Sequence, residues 1–576
     1  MYDQPQNSVA PSAVSASSAS GTSAPGETRN RPGDLVFLPL GGTGEIGMNL
    51  NLYGFDGKWL MVDLGMSFPD DTMPGLDVIM PDPTFIAERR QDLVGLVVTH
   101  AHEDHIGAIG HLWPRLQCPI YATPFTASVL RMKLAEAGLL QSVPLHEVPL
   151  GGRVSLAPFD VEFISLTHSI PEPNGLAIRT AAGTVFHTGD WKFDPEPVIG
   201  GEADTAALTR LGDEGVVAMI GDSTNVLRPG EAGSEADVER ALVELIGRYD
   251  KRVALACFAS NIARLRAAAV AAEAHGRHAA LVGRSLWRME QAARENGYLD
   301  GVADFLSPEA AAELPPERVL LVCTGSQGEP RSALSRIAAD DHPLISLDAG
   351  DTVIFSSRII PGNERAIGRV HNRLSSRGIE VVTEHDHFVH VSGHPARDEV
   401  ARMYRFIRPE IAVPVHGESR HLIAHARLAE ECGVGQQLII EDGSMVRLAP
   451  GPAEVIDRVE TGRLGLDGKS LIRLGDAGLR ERLRMTFAGA AVATVVIDRQ
   501  GEVPVPPQVS LQGIPGEDSE LRARLISAVE KAVMAMPRGA RSNDDVVREA
   551  VRLAIRRGIS NALGKKPVTD VHIVRI

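Results

Sequence analysis

Four side chains that could hold metal stand within one short run, His100-Ala101-His102-Glu103-Asp104-His105. The run follows residues 92–99, which are apolar and β-branched and so predict a short buried strand. Alternation puts His100 and His102 on one side of its exit and turns Asp104 and His105 toward the other. Imidazole and carboxylate donors suit zinc or manganese, whereas a solvated charged turn accounts poorly for three imidazoles so close together. Other predicted strands also end in such residues. Residues 161–168 end in His168, residues 184–190 in Asp190, and residues 411–416 in His416. Asp63 closes another, at 59–65, and is placed to orient a metal-binding histidine.

These residues need a scaffold, and the chain is long enough to hold two to four domains at 576 residues. It has no run of about eighteen apolar residues, so no membrane span is predicted. The formal net charge of −16 argues mildly against nucleic acid as a partner, although bound metal or a local basic groove would reverse the sign where it matters. Cys118, Cys257, Cys323 and Cys432 stand apart in apolar surroundings, as reduced core thiols of a cytosolic protein would. Residues 1–33 are rich in Ser, Ala, Pro and Gly and are expected to form a disordered tail. Order begins with a strand at 34–40. The glycine-rich loop 41–47 that follows does not fit a dinucleotide site, because residues 48–53 read as another strand where that motif needs a helix. A tight hairpin near the histidines is expected instead.

Between Asp190 and His416 the chain repeats strand and helix, which predicts a small open parallel sheet. Its strands end in Asp222-Ser223-Thr224, Ala259-Ser260-Asn261 and Thr324-Gly325-Ser326-Gln327-Gly328-Glu329. Hydroxyl and glycine loops at such ends are good phosphate holders. Of the histidines at 385–394, His387 and His390 read as structural, while His394 follows Ser392-Gly393, where backbone N–H groups could bind an anion. Toward the C-terminus, helices at 521–536 and 544–557, the second capped from Ser542, and strands at 492–498 and 571–576 predict a small α+β domain. Arg556-Arg557 and Lys565-Lys566 read as solvated helix ends.

Residues 99–107 resemble the HxHxDH signature of the metallo-β-lactamase superfamily. Asp222, His394 and His416 resemble the three further motifs of its β-CASP group, whose members act on nucleic acids. With residues 41–47, 258–261, 324–328 and 391–394, the match over roughly 35–445 is similar to the bacterial ribonuclease J family. The resemblance implies an α/β chain: an αββα sandwich split over 34–228 and 386–447, a β-CASP parallel-sheet domain inserted at 229–385, a linker at 448–464, and the α+β domain at 465–576. It implies two divalent ions, zinc or manganese. His100, His102 and His168 would hold one; Asp104, His105 and His416 the other; Asp190 would bridge them, with Asp63 and Asp222 orienting the ligands. Asp104 or Asp190 would accept the proton of the attacking water, and His394 would stabilise or protonate the leaving 3′ oxygen. Ser260, Ser392, Gly393 and His394 would receive the 5′-terminal monophosphate of a single-stranded RNA.

The activity implied is 5′-to-3′ exoribonuclease action on 5′-monophosphate ends, with endonucleolytic entry of longer strands, in mRNA decay and rRNA maturation. A cytoplasmic homodimer or homotetramer is implied by the same likeness. A DNA-processing β-CASP nuclease is the nearest rival. A small-molecule metallo-hydrolase would not need the insertion or His394, and a non-catalytic RNA scaffold would not need a complete ligand set.

Overall fold

The computed structural model describes residues 31–515 and 519–576; the expected tail thus lies almost wholly outside the described residues. Two sheets face each other. In the first, of eight strands, Leu35–Gly41 and Leu50–Phe55 pair antiparallel, and Leu50–Phe55 pairs antiparallel with Lys58–Val62. Leu93–Val97 then runs parallel to Lys58–Val62. The second sheet, of seven strands, has Gly183–His187, Ala218–Asp222 and Ile411–Val415 side by side and parallel. Phe37, Tyr53, Val62 and Val97 of the first sheet pack with Phe163, Ile178, Ile220 and Val413 of the second in one buried apolar layer. Helices Ile109–Leu116 and Pro124–Glu136 cover the outside of the first sheet. Thr205–Glu214, Arg397–Ile407 and Ser419–Glu431 lie on the second, where Leu208, Met403 and Leu428 pack on Phe186 and Met219. This is an αββα sandwich.

Asp222 and Val415 are register partners in neighbouring strands although a whole domain separates them in sequence. The intervening chain builds a five-stranded parallel sheet with Val253–Ala256 at its centre. Its three inner strands are short, apolar and fully buried, as parallel strands covered on both faces must be.

The expected linker at 448–464 is instead ordered as strand. Glu454–Arg458 pairs with Ser444–Ala449 at the edge of the first sheet, and Arg463–Asp467 pairs with Ile79–Pro81. A strand left at that edge would expose a row of unpaired backbone groups, and the chain uses the next residues to cover it. The expected C-terminal domain therefore begins with a hairpin, Arg463–Asp467 and Ser470–Arg473, whose third strand is Ile79–Pro81 from the N-terminal part of the chain. Beyond it, Ala490–Ile497, Gln508–Gln512 and Val568–Arg575 form a sheet of their own. Leu525 and Val529 of helix Ser519–Met534, with Val551 and Ile555 of helix Asp544–Leu563, pack on it. The second helix is capped by Asn543 and not Ser542: the Asn543 side chain accepts from the N–H groups of Asp545 and Val546. Cys118, Cys257 and Cys323 are buried, but Cys432 is exposed just beyond helix Ser419–Glu431, which corrects its reading as a core thiol. Among the described residues no helix is long and apolar enough to cross a membrane.

Candidate metal centre

The strand Leu93–Val97 delivers His100 to the end of the sandwich. His102 is then the N-cap of a single helical turn, Glu103–Ile106, which swings Asp104 and His105 back toward it. The turn is fastened by the segment after Lys58–Val62: Leu64 N–H donates to His105 carbonyl at 2.7 Å. The backbones come so close at Gly65 that a Cβ there would fall 1.6 Å from the Asp104 carbonyl oxygen. Asp63 and His416 adopt left-handed backbone angles, with φ of 62° and 49°. Non-glycine residues rarely do so, and both bear directly on this centre.

His100 Nε2, His102 Nδ1 and His168 Nε2 converge. The first lies 3.0 Å from His102 Nδ1 and the last 3.1 Å from it. Burial, reinforced by neighbouring imidazoles, pushes the pKa of His100 and His102 well below the usual range, and burial with His394 pushes His168 down to about 3. Three unprotonated ring nitrogens this close repel one another unless a cation stands among them. On the other side, His105 Nε2 and His416 Nε2 lie 3.2 and 3.4 Å from Asp190 Oδ2, and 3.6 and 3.7 Å from Asp104 Oδ2. Burial opposes their protonation, but the charge of Asp190, aided by Asp104, raises both. Asp190 Oδ2 also faces His100 and His168, at 3.8 and 3.9 Å, while its Oδ1 is buried without a hydrogen-bond partner. The two sets, His100–His102–His168–Asp190 and Asp104–His105–Asp190–His416, each offer ligand atoms within 4.8 Å of one another. The donor chemistry and the orphaned carboxylate oxygen fit divalent cations.

A ligating imidazole needs its other nitrogen fixed. Asp63 Oδ2 accepts from His105 Nδ1 at 2.7 Å and from the Thr99 hydroxyl, while Asp63 Oδ1 accepts from the Thr99 N–H. Asn49 Oδ1 lies 3.1 Å from His416 Nδ1, while Asn49 Nδ2 donates to Asp104 carbonyl. Thr99 Oγ1 serves His100 Nδ1 at 3.0 Å. The carbonyl of Gly393 serves His168 Nδ1, and Ser260 Oγ serves His102 Nε2 at 3.1 Å. Asn49 was not singled out by sequence. The available signal was two asparagines, Asn49 and Asn51, among apolar residues entering a buried strand.

His394 stands beside this centre. Asp222 Oδ2 accepts from its Nδ1 at 2.8 Å, and Asp222 Oδ1 accepts from Thr224 N–H. Asp222 therefore orients His394 and not a metal-facing imidazole. Burial lowers the pKa of His394, but Asp222 and Asp190 outweigh it and hold it up to about 9. The anion site expected of the local backbone is partly taken up internally: His394 N–H donates to Ser392 Oγ. A Cβ on Gly393 would fall 2.7 Å from His168 Cε1, so only glycine fits. His387 is exposed. His390 is half-buried with Nδ1 unpartnered, and burial, then Arg264, Arg358, Lys192 and Arg228, keep it neutral.

Family models match along the chain: a beta-lactamase superfamily domain at 71–214, a ribonuclease J beta-CASP domain at 250–374, a Zn-dependent metallo-hydrolase RNA specificity domain at 378–437, and a ribonuclease J C-terminal domain at 477–576. Ribonuclease J of Sinorhizobium meliloti is 45% identical over 94% of this chain and 98% of its own length. The chain belongs to the ribonuclease J family. It is a metal-dependent ribonuclease with a metallo-β-lactamase and β-CASP architecture. Ribonuclease J of Mycolicibacterium smegmatis is 39% identical, covering 95% of this chain and 98% of the relative. That of Thermus thermophilus is 36% identical, covering 93% and 95%. Among solved structures, a protein of unknown function from Enterococcus faecalis superposes with a TM-score of 0.51 at 16% identity, over 72% of this chain and 99% of that one, a likeness of fold alone.

Proposed function

We propose that this ribonuclease degrades single-stranded RNA from the 5′ end, prefers a 5′ monophosphate, and admits longer strands for internal cleavage. The observation that carries this reading is His394, oriented by Asp222 at 2.8 Å, beside two ligand sets joined at Asp190 Oδ2. When bound at those sets, two divalent ions, zinc or manganese, supply a nucleophile from water near neutral pH and offset the charge that grows on the phosphoryl oxygens. Asp104 or Asp190 takes the proton of the attacking water. His394, its Nδ1 held by Asp222, presents Nε2 to the leaving 3′ oxygen and delivers a proton to it. General-acid catalysis of this kind is worth on the order of 10²–10⁴-fold in rate.

The hydroxyls of Ser260 and Ser392, with Gly393 and His394, would receive the terminal phosphate. Positive charge on this side supports that assignment. Lys192 and Arg264 are engaged by Asp194 and Glu235, each at 2.9 Å; Arg228 and Arg358 also bear on His390, and Arg358 donates to Asn225 Oδ1 at 3.3 Å and lies 3.8 Å from Glu384. A phosphate fixed there sets the distance from the 5′ end to the ligand sets, which favours stepwise release of mononucleotides. Roles in mRNA decay and rRNA maturation, a cytoplasmic location and assembly as a homodimer or homotetramer complete the reading.

The test is digestion of an internally labelled, 5′-monophosphorylated RNA with added zinc or manganese. Mononucleotides should appear from the first time points and vanish with His100→Ala. Discrete long fragments would reverse the order of the two activities, and equal rates on triphosphorylated RNA would overturn the end preference. Cleavage of DNA in place of RNA would overturn the substrate.

A further inference from the structure

The outer nitrogens of the metal-facing imidazoles are served from three different parts of the chain. Those of His100, His105 and His416 rest on Thr99, Asp63 and Asn49, all at the ends of the first strands of the sandwich. His168 rests on Gly393, in the segment that returns from the insertion. His102 is the exception. Its partner, Ser260 Oγ, belongs to the inserted domain itself and reaches 3.1 Å from Nε2. Ser260 sits in the turn after Val253–Ala256, the central strand of the five-stranded sheet, just before helix Ile262–Ala274. That turn is rigid: Asn261 N–H donates to the Phe258 carbonyl, and the Asn261 side chain caps the helix by accepting from Arg264 N–H.

His102 depends on this contact more than its neighbours depend on theirs. It precedes the helical turn as an N-cap in extended conformation, so no helix holds it, and unlike His100 and His105 it is only partly buried. With Nδ1 turned to His100 and His168, Nε2 carries the proton, and Ser260 Oγ is its hydrogen-bond acceptor among the described residues. A hydroxyl that accepts from His102 keeps its own proton free to donate to a phosphate oxygen.

We propose that Ser260 is a positioning residue for His102, so that docking of the inserted domain on the sandwich completes the His100–His102–His168 site while the Asp104–His105–His416 site is complete without it. The inference rests on the two-ion reading but not on the RNA substrate. Outer-shell partners of this kind are typically worth 10–100-fold in metal affinity.

The experiment measures zinc binding to the full-length protein by chelator competition, without RNA. Ser260→Ala should lose 10–100-fold in affinity for one zinc while the second stays within a few fold of the parent. Ser260→Thr, which keeps the hydroxyl, should restore the first. Asn49→Ala should weaken the other zinc, and the double variant should weaken both independently. The proposal is overturned if Ser260→Ala binds both ions as the parent does, whether or not its affinity for 5′-phosphorylated RNA falls. It is equally overturned if Ser260→Thr is no better than Ser260→Ala, or if both zinc sites weaken together with a fall in the unfolding temperature of the metal-free protein, which would mark a loss of packing.

Discussion

The two ligand sets meet at one carboxylate oxygen yet are supported differently. Asp104, His105 and His416 are braced by Asp63, Asn49 and the Gly41–Gly47 loop, so their geometry follows once the first sheet and the strand Ile411–Val415 have formed. His102 and His168 lean on Ser260 and Gly393, on and just beyond the insertion. One half of the centre is a product of folding one sandwich; the other is a product of two domains meeting.

The two halves share one residue, Asp190. Asp190 Oδ2 faces both sets, so Asp190→Ala should empty both and lower RNA cleavage by on the order of 10³-fold or more. Metal analysis beside a cleavage assay checks this; retention of either ion would show that the sets are more independent than the shared oxygen implies. His394→Ala stands next. Its ring touches neither set as an essential ligand in our reading, so both ions should remain while kcat falls about 10²–10⁴-fold. If metal content falls in step with turnover, His394 belongs to the ligands and the general-acid role is lost.

Much of this was legible in the sequence because ligands at strand ends are local facts. A short apolar run ending in His or Asp identifies both the strand and the exit, which is how His100, His168, Asp190, Asp222 and His416 could be marked. The supports were harder to read because they are made by chain segments far apart in sequence. Nothing near Asn49 announces that it will face His416, and nothing near Ser260 announces His102. The ordered strands at 454–458 and 463–467 were missed for a related reason. Their polar composition reads as linker, and their partners, Ser444–Ala449 and Ile79–Pro81, are brought to them only by the fold. The sequence suggests Ser542 as the cap, but it is the Asn543 side chain that reaches the free N–H groups of Asp545 and Val546.

A smaller effect sharpens the contrast between the halves. Asp63→Asn keeps the size of the side chain but removes the charge that holds His105 Nδ1–H. It should cost about 10–100-fold in affinity for the Asp104–His105–His416 ion and leave the other near its parent value. Combined with Ser260→Ala, the two losses should add in free energy, since they fall on different ions. A strongly non-additive pair, measured by the same zinc competition, would mean that the halves communicate through Asp190.

The smallest expected effect lies at the rim of the better-braced half. Gly42 carbonyl accepts from His416 N–H at 2.7 Å, and the next residue, Thr43, pairs with Gly417 while its N–H donates to Asp442 Oδ1 at 3.0 Å. Burial, with the nearby charge of Glu45, pushes Asp442 up to about 7 against that hydrogen bond. In the folded protein Asp442 therefore keeps its proton over a window, from about pH 4 to 7, in which the unfolded chain has lost it. Stability from this group is full below that window and falls as pH rises through it. Asp442→Asn leaves an oxygen for Thr43 and no proton to lose. The parent should drop a few degrees more in unfolding temperature than the variant between pH 5 and pH 7.5, measured for both in excess zinc. Parallel curves would mean that Asp442 is ionised throughout and that the loop beneath His416 is held by its charge.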